Sequence, residues 1–496
     1  MSFPSVLGLP SSLDYKLPPS VGDSCRSWSV HAAPDGITSV TSAVPPATMF
    51  VQDSTCAISA FGGGQIVSFS PPCGMGSNVF LSPQDTTLSF TLTYTTSATA
   101  YAVGTSTANS LNLIGSGASF FDTLVLYSNS VPIETIQGYN QLQNFLLQNT
   151  VNTSERNGGL SISMGCDSYN GVNGIDLGFA GASQTYKYSF TIPLMSVLGY
   201  NSDRLIPIGS LSNLQLQMTI TNGNFPIVSY CATAAPTTQP TLSAFTLDTF
   251  SLNMKYVDVG EMSGALLRQT LQDGKWFIRS TTYTQSSMTV PANSAGTQQL
   301  LLQIRNSSVK SLLHYFNTSG ALAICPNHIY DAIGINTNSR QLQIGAQYFP
   351  SRPLNDLARP SEAYCYLIQS LASVASPVKA LGTSVTRDSY NCVYSTAPAG
   401  SDSGIVVPAL GVRAAPSGND ENNKIIAKFP NSAYYGYDLE RVNGSLLSGV
   451  NTRGTPPFVN INIASAPNVP INCVAWGCSD VILAFDLASQ SVQAFI

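Results

Sequence analysis

The chain has 496 residues, of which 9% are charged, with a formal net charge of −5 at pH 7. Average soluble proteins carry about 25% charged residues, so this surface must be mainly Ser, Thr, Asn and Gln, and no general field attracts nucleic acid. The length suits two all-β units of roughly 200–250 residues each, and no apolar run approaches the ~18 residues of a membrane span.

Residues 1–46 are rich in Pro and Ser, with weak periodicity, and read as an N-terminal arm. Lys16 and Arg26 are its only cations, against Asp14, Asp23 and Asp35, too little charge to neutralise a packed genome. The opening MSFPSVLGLP lacks a basic region and carries Pro in its short apolar patch, so no secretory signal is expected. Further on, AFGGGQIVSF is Gly-rich but lacks the Lys and Ser/Thr of a phosphate loop; it reads as a turn or bulge entering a strand. TLSFTLTY then places Leu88, Phe90, Leu92 and Tyr94 on one face of a strand.

FFDTLVLYSNSVP reads as a strand ended by a turn and Pro132. IQGYNQLQNFLLQ follows, with Ile136, Tyr139, Leu142, Phe145 and Leu146 at spacings of three and four, predicting a short helix over Ile136–Gln148. LIPIGSLSNLQLQMTI is a polar turn feeding alternating Leu214, Leu216, Met218 and Ile220. The stretch CATAAPTTQPTLSA has the small, uncharged composition of a linker. After it, FTLDTFSLNMKYVDVGE alternates and reads as the opening of a second unit.

The second half repeats the order. QQLLLQIRN is a strand, and RQLQIGAQYFPSRP is a strand ended by Pro350 and Pro353. PSEAYCYLIQSLASV predicts a helix over Ser361–Ser373, built on Tyr364, Leu367, Ile368 and Leu371 with Ser361 as N-cap. Finally DLERVNGSLLSGVNTRGTPPFVNINI runs from a charged cluster through a polar connection into Val459, Ile461 and Ile463. In that connection Gly449 and Gly454 are expected to take backbone angles closed to other residues. Pro456 and Pro457 are expected to delay pairing until Val459. The counterpart of the charged cluster in the first half is Asp203 and Arg204, so the feature reads as architectural. The organisation is an arm over 1–46, a first unit over 47–232, a linker over 233–244 and a second unit over 245–496.

Catalytic patterns are missing. His31, His314 and His328 lie in unrelated contexts without metal-ligand spacing. Cys473 and Cys478 have no partners with zinc-site spacing. The ten cysteines are scattered and read as mainly reduced, buried thiols. Asp438 and Glu440 imitate glycosidase carboxylates, but the neighbouring Arg441 makes a surface ion cluster the simpler reading. Sequons at Asn152, Asn306, Asn317 and Asn443 matter only if the chain meets a glycosylation machinery. No catalytic, cofactor-binding or metal-binding residue is assigned, and no cofactor is expected.

The order of elements resembles the double jelly-roll major capsid proteins of polinton-like viruses, virophages and adintoviruses, related more distantly to adenovirus hexons and giant-virus capsid proteins. The resemblance runs over roughly residues 45–496. It rests on IETIQGYNQLQNFL, YKYSFTIPLMSVLGYNSDRLIPIGSLSNLQLQMTI, FTLDTFSLNMKYVDV, QIGAQYFPSRP and NGSLLSGVNTRGTPPFVNINI. It implies an all-β fold of two tandem jelly-roll sandwiches, with short helices in interstrand connections. It implies a structural, non-enzymatic subunit of an icosahedral DNA virus shell, resident in the virion and assembled inside the host cell. Its partners would be two further copies in a homotrimer, neighbouring capsomers, and penton or minor capsid proteins, without strong nucleic-acid binding. The alternative is a secreted double-sandwich glycan-binding protein or glycan-cleaving enzyme. It would need paired carboxylates of perturbed pKa in a cleft, or a signal peptide and disulfides.

Overall fold

A computed structural model describes residues 26–35, 60–95, 109–113, 115–166, 176–179, 185–202, 204–221, 227–231, 245–269, 271, 274–318, 332–371, 382–385, 390, 392, 432–440, 448–465 and 470–495. Its strands begin with β1 (Arg26–Ala32), β2 (Ile66–Phe69), β3 (Val79–Thr95), β4 (Asn109–Leu113), β5 (Phe121–Ser128) and β6 (Val131–Gln137). Three helices follow: α1 (Tyr139–Thr150), α2 (Thr153–Asn157) and α3 (Gly159–Met164). Next come β7 (Asp176–Phe179), β8 (Thr185–Pro193), β9 (Leu214–Ile220), β10 (Ile227–Cys231) and β11 (Phe245–Asp258).

Beyond a connecting helix α4 (Gly260–Gln269) lie β12 (Lys275–Val290), β13 (Gly296–Leu301), β14 (Val309–Thr318), β15 (Thr337–Ile344) and β16 (Gln347–Leu354). Helix α5 (Pro360–Leu371) is followed by β17 (Tyr434–Asp438), β18 (Phe458–Ile463), β19 (Ile471–Asp486) and β20 (Ser491–Phe495).

These strands form two sandwiches with one strand order. In the first, a sheet β1-β11-β3-β8 faces a sheet β2-β9-β5-β6. In the second, β12-β19-β14-β17 faces β13-β18-β15-β16, with β20 added to β19. Numbering the eight strands of each sandwich in chain order, both read 1-8-3-6 over 2-7-4-5, so strands distant in sequence lie side by side in each sheet, which is the jelly-roll topology. A small third sheet, β10-β4-β7, sits outside the first sandwich.

Alternation set the faces as expected. Leu88, Phe90, Leu92 and Tyr94 are buried on β3, Leu214, Leu216, Met218 and Ile220 on β9, and Val459, Ile461 and Ile463 on β18. Each sandwich also places one helix directly after its second hairpin strand: α1 after β6, α5 after β16.

Several expectations are corrected. Pro132, Pro350 and Pro353 do not end strands; they lie within β6 and β16. Both are edge strands, where a missing N–H leaves no ladder bond unmade. Strand β11, read as opening the second unit, is hydrogen-bonded between β1 and β3 and closes the first sandwich. Its Phe245, Leu247, Phe250, Leu252 and Met254 pack in the first core. Part of the N-terminal segment is likewise a strand, β1, paired with β11 from Arg26↔Asp258 to Ala32↔Leu252. The segment expected to be a linker, 233–244, lies outside the described residues. Helix α5 opens on Pro360, a residue suited to the first helical position, so Ser361 is not its cap.

Candidate functional site

The residues that could have carried chemistry are dispersed. His31 lies on β1, with Nδ1 2.6 Å from Asn253 Oδ1. His314 is buried on β14 in the second core, and His328 lies outside the described residues. Burial, with Arg340 nearby, holds the His314 imidazole well below its ordinary pKa. Cys73, Cys365, Cys392, Cys473 and Cys478 are free thiols. Burial pushes Cys473 up to about 12 and Cys478 up to about 11, so neither is an activated nucleophile. Among the described residues no group of three His, Cys, Asp or Glu side chains could hold a metal ion. No helix among them is long and apolar enough to cross a membrane.

The Gly-rich run forms a turn entering β2: Gly62 N–H donates to Gln65 Oε1 at 2.8 Å, and Gly64 has φ +80°. Sequon residues Asn306 and Asn317 are buried, and Asn152 caps α2 by accepting from Glu155 N–H. Asn443 lies outside the described residues, as do Arg441 and Asp203.

The expected surface ion cluster is corrected by Glu440, whose side chain is only 4% exposed. Lys310 Nζ lies 3.5 Å from Glu440 Oε1 and 3.6 Å from Asp480 Oδ1, and Arg279 Nε lies 3.7 Å from that same Asp480 oxygen. This network ties β12, β14 and β19 together where β17 ends. Asp438 accepts from Glu440 N–H at 3.0 Å and turns the chain. Gly449 and Gly454 are not among the positive-φ glycines. At Gly449 the constraint is close approach: a Cβ there would lie 2.4 Å from Val309 O. Pairing after Pro457 begins at Phe458, one residue before the expected position.

The most elaborate constellation is the seam between the sandwiches. Strand β6 and helix α1 of the first lie against the outer face of β12-β19-β14-β17. On that sheet Leu313, Tyr315, Val474 and Trp476 join the first core cluster. Their neighbours Leu312, Phe316, Cys473 and Ala475 belong to the second. The sheet is therefore buried on both faces. Phe145 of α1 meets the Tyr434 ring at 4.6 Å and Trp476 at 6.1 Å, and Trp476 Nε1 donates to Gln137 O at 3.4 Å. Gly138, with φ +58°, opens α1 where Gln285 of β12 approaches; a Cβ there would lie 2.2 Å from Gln285 Nε2.

Polar groups fill the rest of the seam. Asn140, Gln143, Asn144, Gln148 and Asn149 of α1 are all buried. Gln148 Oε1 accepts from Ser432 Oγ at 3.0 Å, and Val492 N–H of β20 donates to Ser128 Oγ at 3.1 Å. Glu134, on β6, is wholly enclosed. Its Oε2 accepts from Ser196 Oγ at 2.5 Å and Val197 N–H at 2.9 Å, and its Oε1 lies 3.1 Å from Thr282 Oγ1 of β12. Burial pushes its carboxyl up to about 7. A cavity of about 220 Å³ between α1, α5 and the second sandwich is lined by Leu146, Tyr200, Tyr283, Leu313, Leu371 and Cys478 among others, without an acid or histidine.

The seam went unassigned in the sequence. Its signals were a lone Glu inside IETIQ and the nearly continuous apolar run of β19, the pattern of a strand covered on both faces.

No protein-family model and no curated protein matches the chain. Among solved structures it is similar to a chain in the cryo-EM structure of the Sputnik virophage, at 12% identity and a TM-score of 0.53, over 89% of this chain and 88% of that one. It is also similar to the mavirus major capsid protein, at 11% identity and a TM-score of 0.49, over 100% of this chain and 95% of that one. A third is PBCV-1 VP54 fitted into a reconstruction of Sputnik, at 13% identity and a TM-score of 0.49, over 90% and 98%. With the two strand orders, the Sputnik likeness gives the fold: a double jelly roll.

Proposed function

We propose that the chain is the major capsid protein of an icosahedral DNA virus, a structural subunit that trimerises into pseudo-hexagonal capsomers and resides in the virion. The carrying observation is the pair of sandwiches with one strand order in a single chain, shared in fold with the Sputnik chain over 89% of the length. Two equivalent sandwiches per subunit let a closed threefold ring offer sixfold-like edges to its neighbours. The scarcity of charge suits flanks buried between subunits, because interface cores are depleted of charge. In this reading the first jelly roll runs from β1 to β11, the second from β12 to β20, and α4 lies in the connection. Neighbouring capsomers and penton or minor proteins complete the lattice, and another component holds the genome.

Light scattering of the purified full chain should give the mass of a trimer, and negative-stain images should show hexagonal outlines. A monomer at micromolar concentration would contradict the proposal and favour the glycan-binding or glycan-cleaving alternative.

A further inference from the structure

We infer that Glu134 is a proton-operated latch between the two sandwiches, closing the seam as the neutral acid and loosening it on ionisation. The inference rests on the seam itself and stands whether or not the chain forms capsomers. Glu134 projects from the edge strand of the first sandwich into the contact with β12 of the second. Two of its three hydrogen-bond partners, Ser196 Oγ and Val197 N–H, belong to the first sandwich, and the third, Thr282 Oγ1, belongs to the second. A single carboxyl thus spans the joint.

No cation pairs with it among the described residues, and an uncompensated charge in such a site is costly. The titratable groups that face it are phenols: Tyr139 on α1 and Tyr283 on β12, with Tyr200 behind Tyr139. Burial pushes Tyr139 up to about 12 and Tyr283 well above its usual range, so neither offers compensating charge. Ser196 Oγ and Val197 N–H donate to Oε2, and Thr282 Oγ1 donates to Oε1; with a proton on Oε1 the Thr282 hydroxyl rotates to accept it, so the neutral acid keeps all three contacts.

The sign follows from linkage. The carboxyl titrates near 4.5 when exposed and near 7 in the folded chain. Between those values the folded chain holds a proton that the unfolded chain releases. The stabilisation from Glu134 is therefore complete below about 4.5 and is lost as pH rises through about 7. Buried His314 works in the opposite direction over part of this range, so the informative quantity is the difference between wild type and a Glu134 variant.

The test uses the full chain. Thermal midpoints of wild type and Glu134→Gln are compared from about pH 5 to about pH 8, alongside the infrared band of protonated carboxyl groups. Gln keeps the geometry, with its oxygen accepting from Ser196 and Val197 and its amide donating to Thr282. The wild-type midpoint should fall relative to the variant as pH rises, and a carboxylic-acid band present near pH 6 should be missing from the variant. A pH-independent difference, or no such band, would overturn the inference. If Glu134→Gln does not fold, Thr282→Val serves. It removes the cross-seam donor to the ionised carboxylate, so the band should persist to higher pH than in wild type; an unmoved titration would overturn the latch equally.

Discussion

Leu124 and Arg340 occupy corresponding places in the two sandwiches, each four residues before the last residue of its strand, Ser128 on β5 and Ile344 on β15. Both point inward and both are fully buried. Around Leu124 the first core is hydrocarbon and aromatic: Phe90 has the rings of Phe120, Phe121, Phe190 and Phe250 within 5.2–6.3 Å. Around Arg340 the second core is an enclosed ion pair. Its Nε and a terminal guanidinium nitrogen reach Asp356 at 2.9 and 3.1 Å. The guanidinium carbon lies 4.3 Å from the Tyr435 ring centre and 5.1 Å from that of Tyr437. His314 stacks on both tyrosines. One strand order thus accommodates two core chemistries. Alternation decides which side chains turn inward, and the interior is then free to be apolar or paired, provided each buried charge has its partner.

The largest expected effect comes from breaking that pair. Arg340→Leu gives the second sandwich the residue type of the first but strands Asp356 in the core. The loss should be about 3–5 kcal/mol, the usual cost of leaving one buried charge unpaired. Adding Asp356→Leu should recover most of it, because an apolar replacement of a whole buried pair is commonly neutral or stabilising. Denaturant midpoints of the two variants decide the matter. A single variant as stable as wild type would mean that the contrast between the cores has no energetic weight.

An intermediate effect concerns acid. Burial, and secondarily Arg340, hold His314 neutral, well below its usual 6.5. Its ring nitrogens have no hydrogen-bond partner among the described residues. Folding therefore excludes a proton that the unfolded chain accepts. Stability from this site is full above about 6.5 and drains away as pH falls below it. Hydrogen exchange should show β14 and β17 opening in mild acid before β3 and β5, which face no such group in the first core. His314→Phe should abolish that ordering if it folds; equal opening of both sandwiches in wild type would remove the asymmetry.

Much of the fold was legible because its strands are half-buried. Where one face is core and the other solvent, as on β9 and β18, apolar residues alternate and declare the strand. The helix after the second hairpin was legible in each half for the same reason, from its spacing of three and four. What the alternation could not declare is partnership. β11 alternates as clearly as an opening strand would, and only its pairing with β1 and β3 makes it the closing strand of the first sandwich. The seam was hidden more deeply. Helix α1 carries five buried amides that read as a solvent face, because burial between two sandwiches turns both sides of a helix inward. Likewise Glu440 reads as a surface charge beside Asp438 and Arg441, and its partner Lys310 lies far away in sequence.

The smallest expected effect separates two arginines of one hairpin. Arg340 on β15 points into the core; Arg352 on β16 points out and pairs with Glu362 of α5. The formal chemistry is the same, guanidinium against carboxylate, but the Arg352 side chain is 61% exposed and that of Arg340 is 0%. Water already solvates both members of the outer pair, and holding two long side chains in register costs entropy. Arg352→Ala should therefore change stability by only about 0–1 kcal/mol, and less at high salt. Glu362 also has Arg359 Nη1 at 3.7 Å, so the acid does not lose its only cation. The contrast with Arg340→Leu in the same denaturation experiment isolates burial as the variable. If Arg352→Ala cost as much as Arg340→Leu, the outer pair would be enclosed by something absent from the isolated subunit. A second copy of the chain, as in the proposed trimer, would then be the first partner to examine, by repeating the measurement across a wide range of protein concentration.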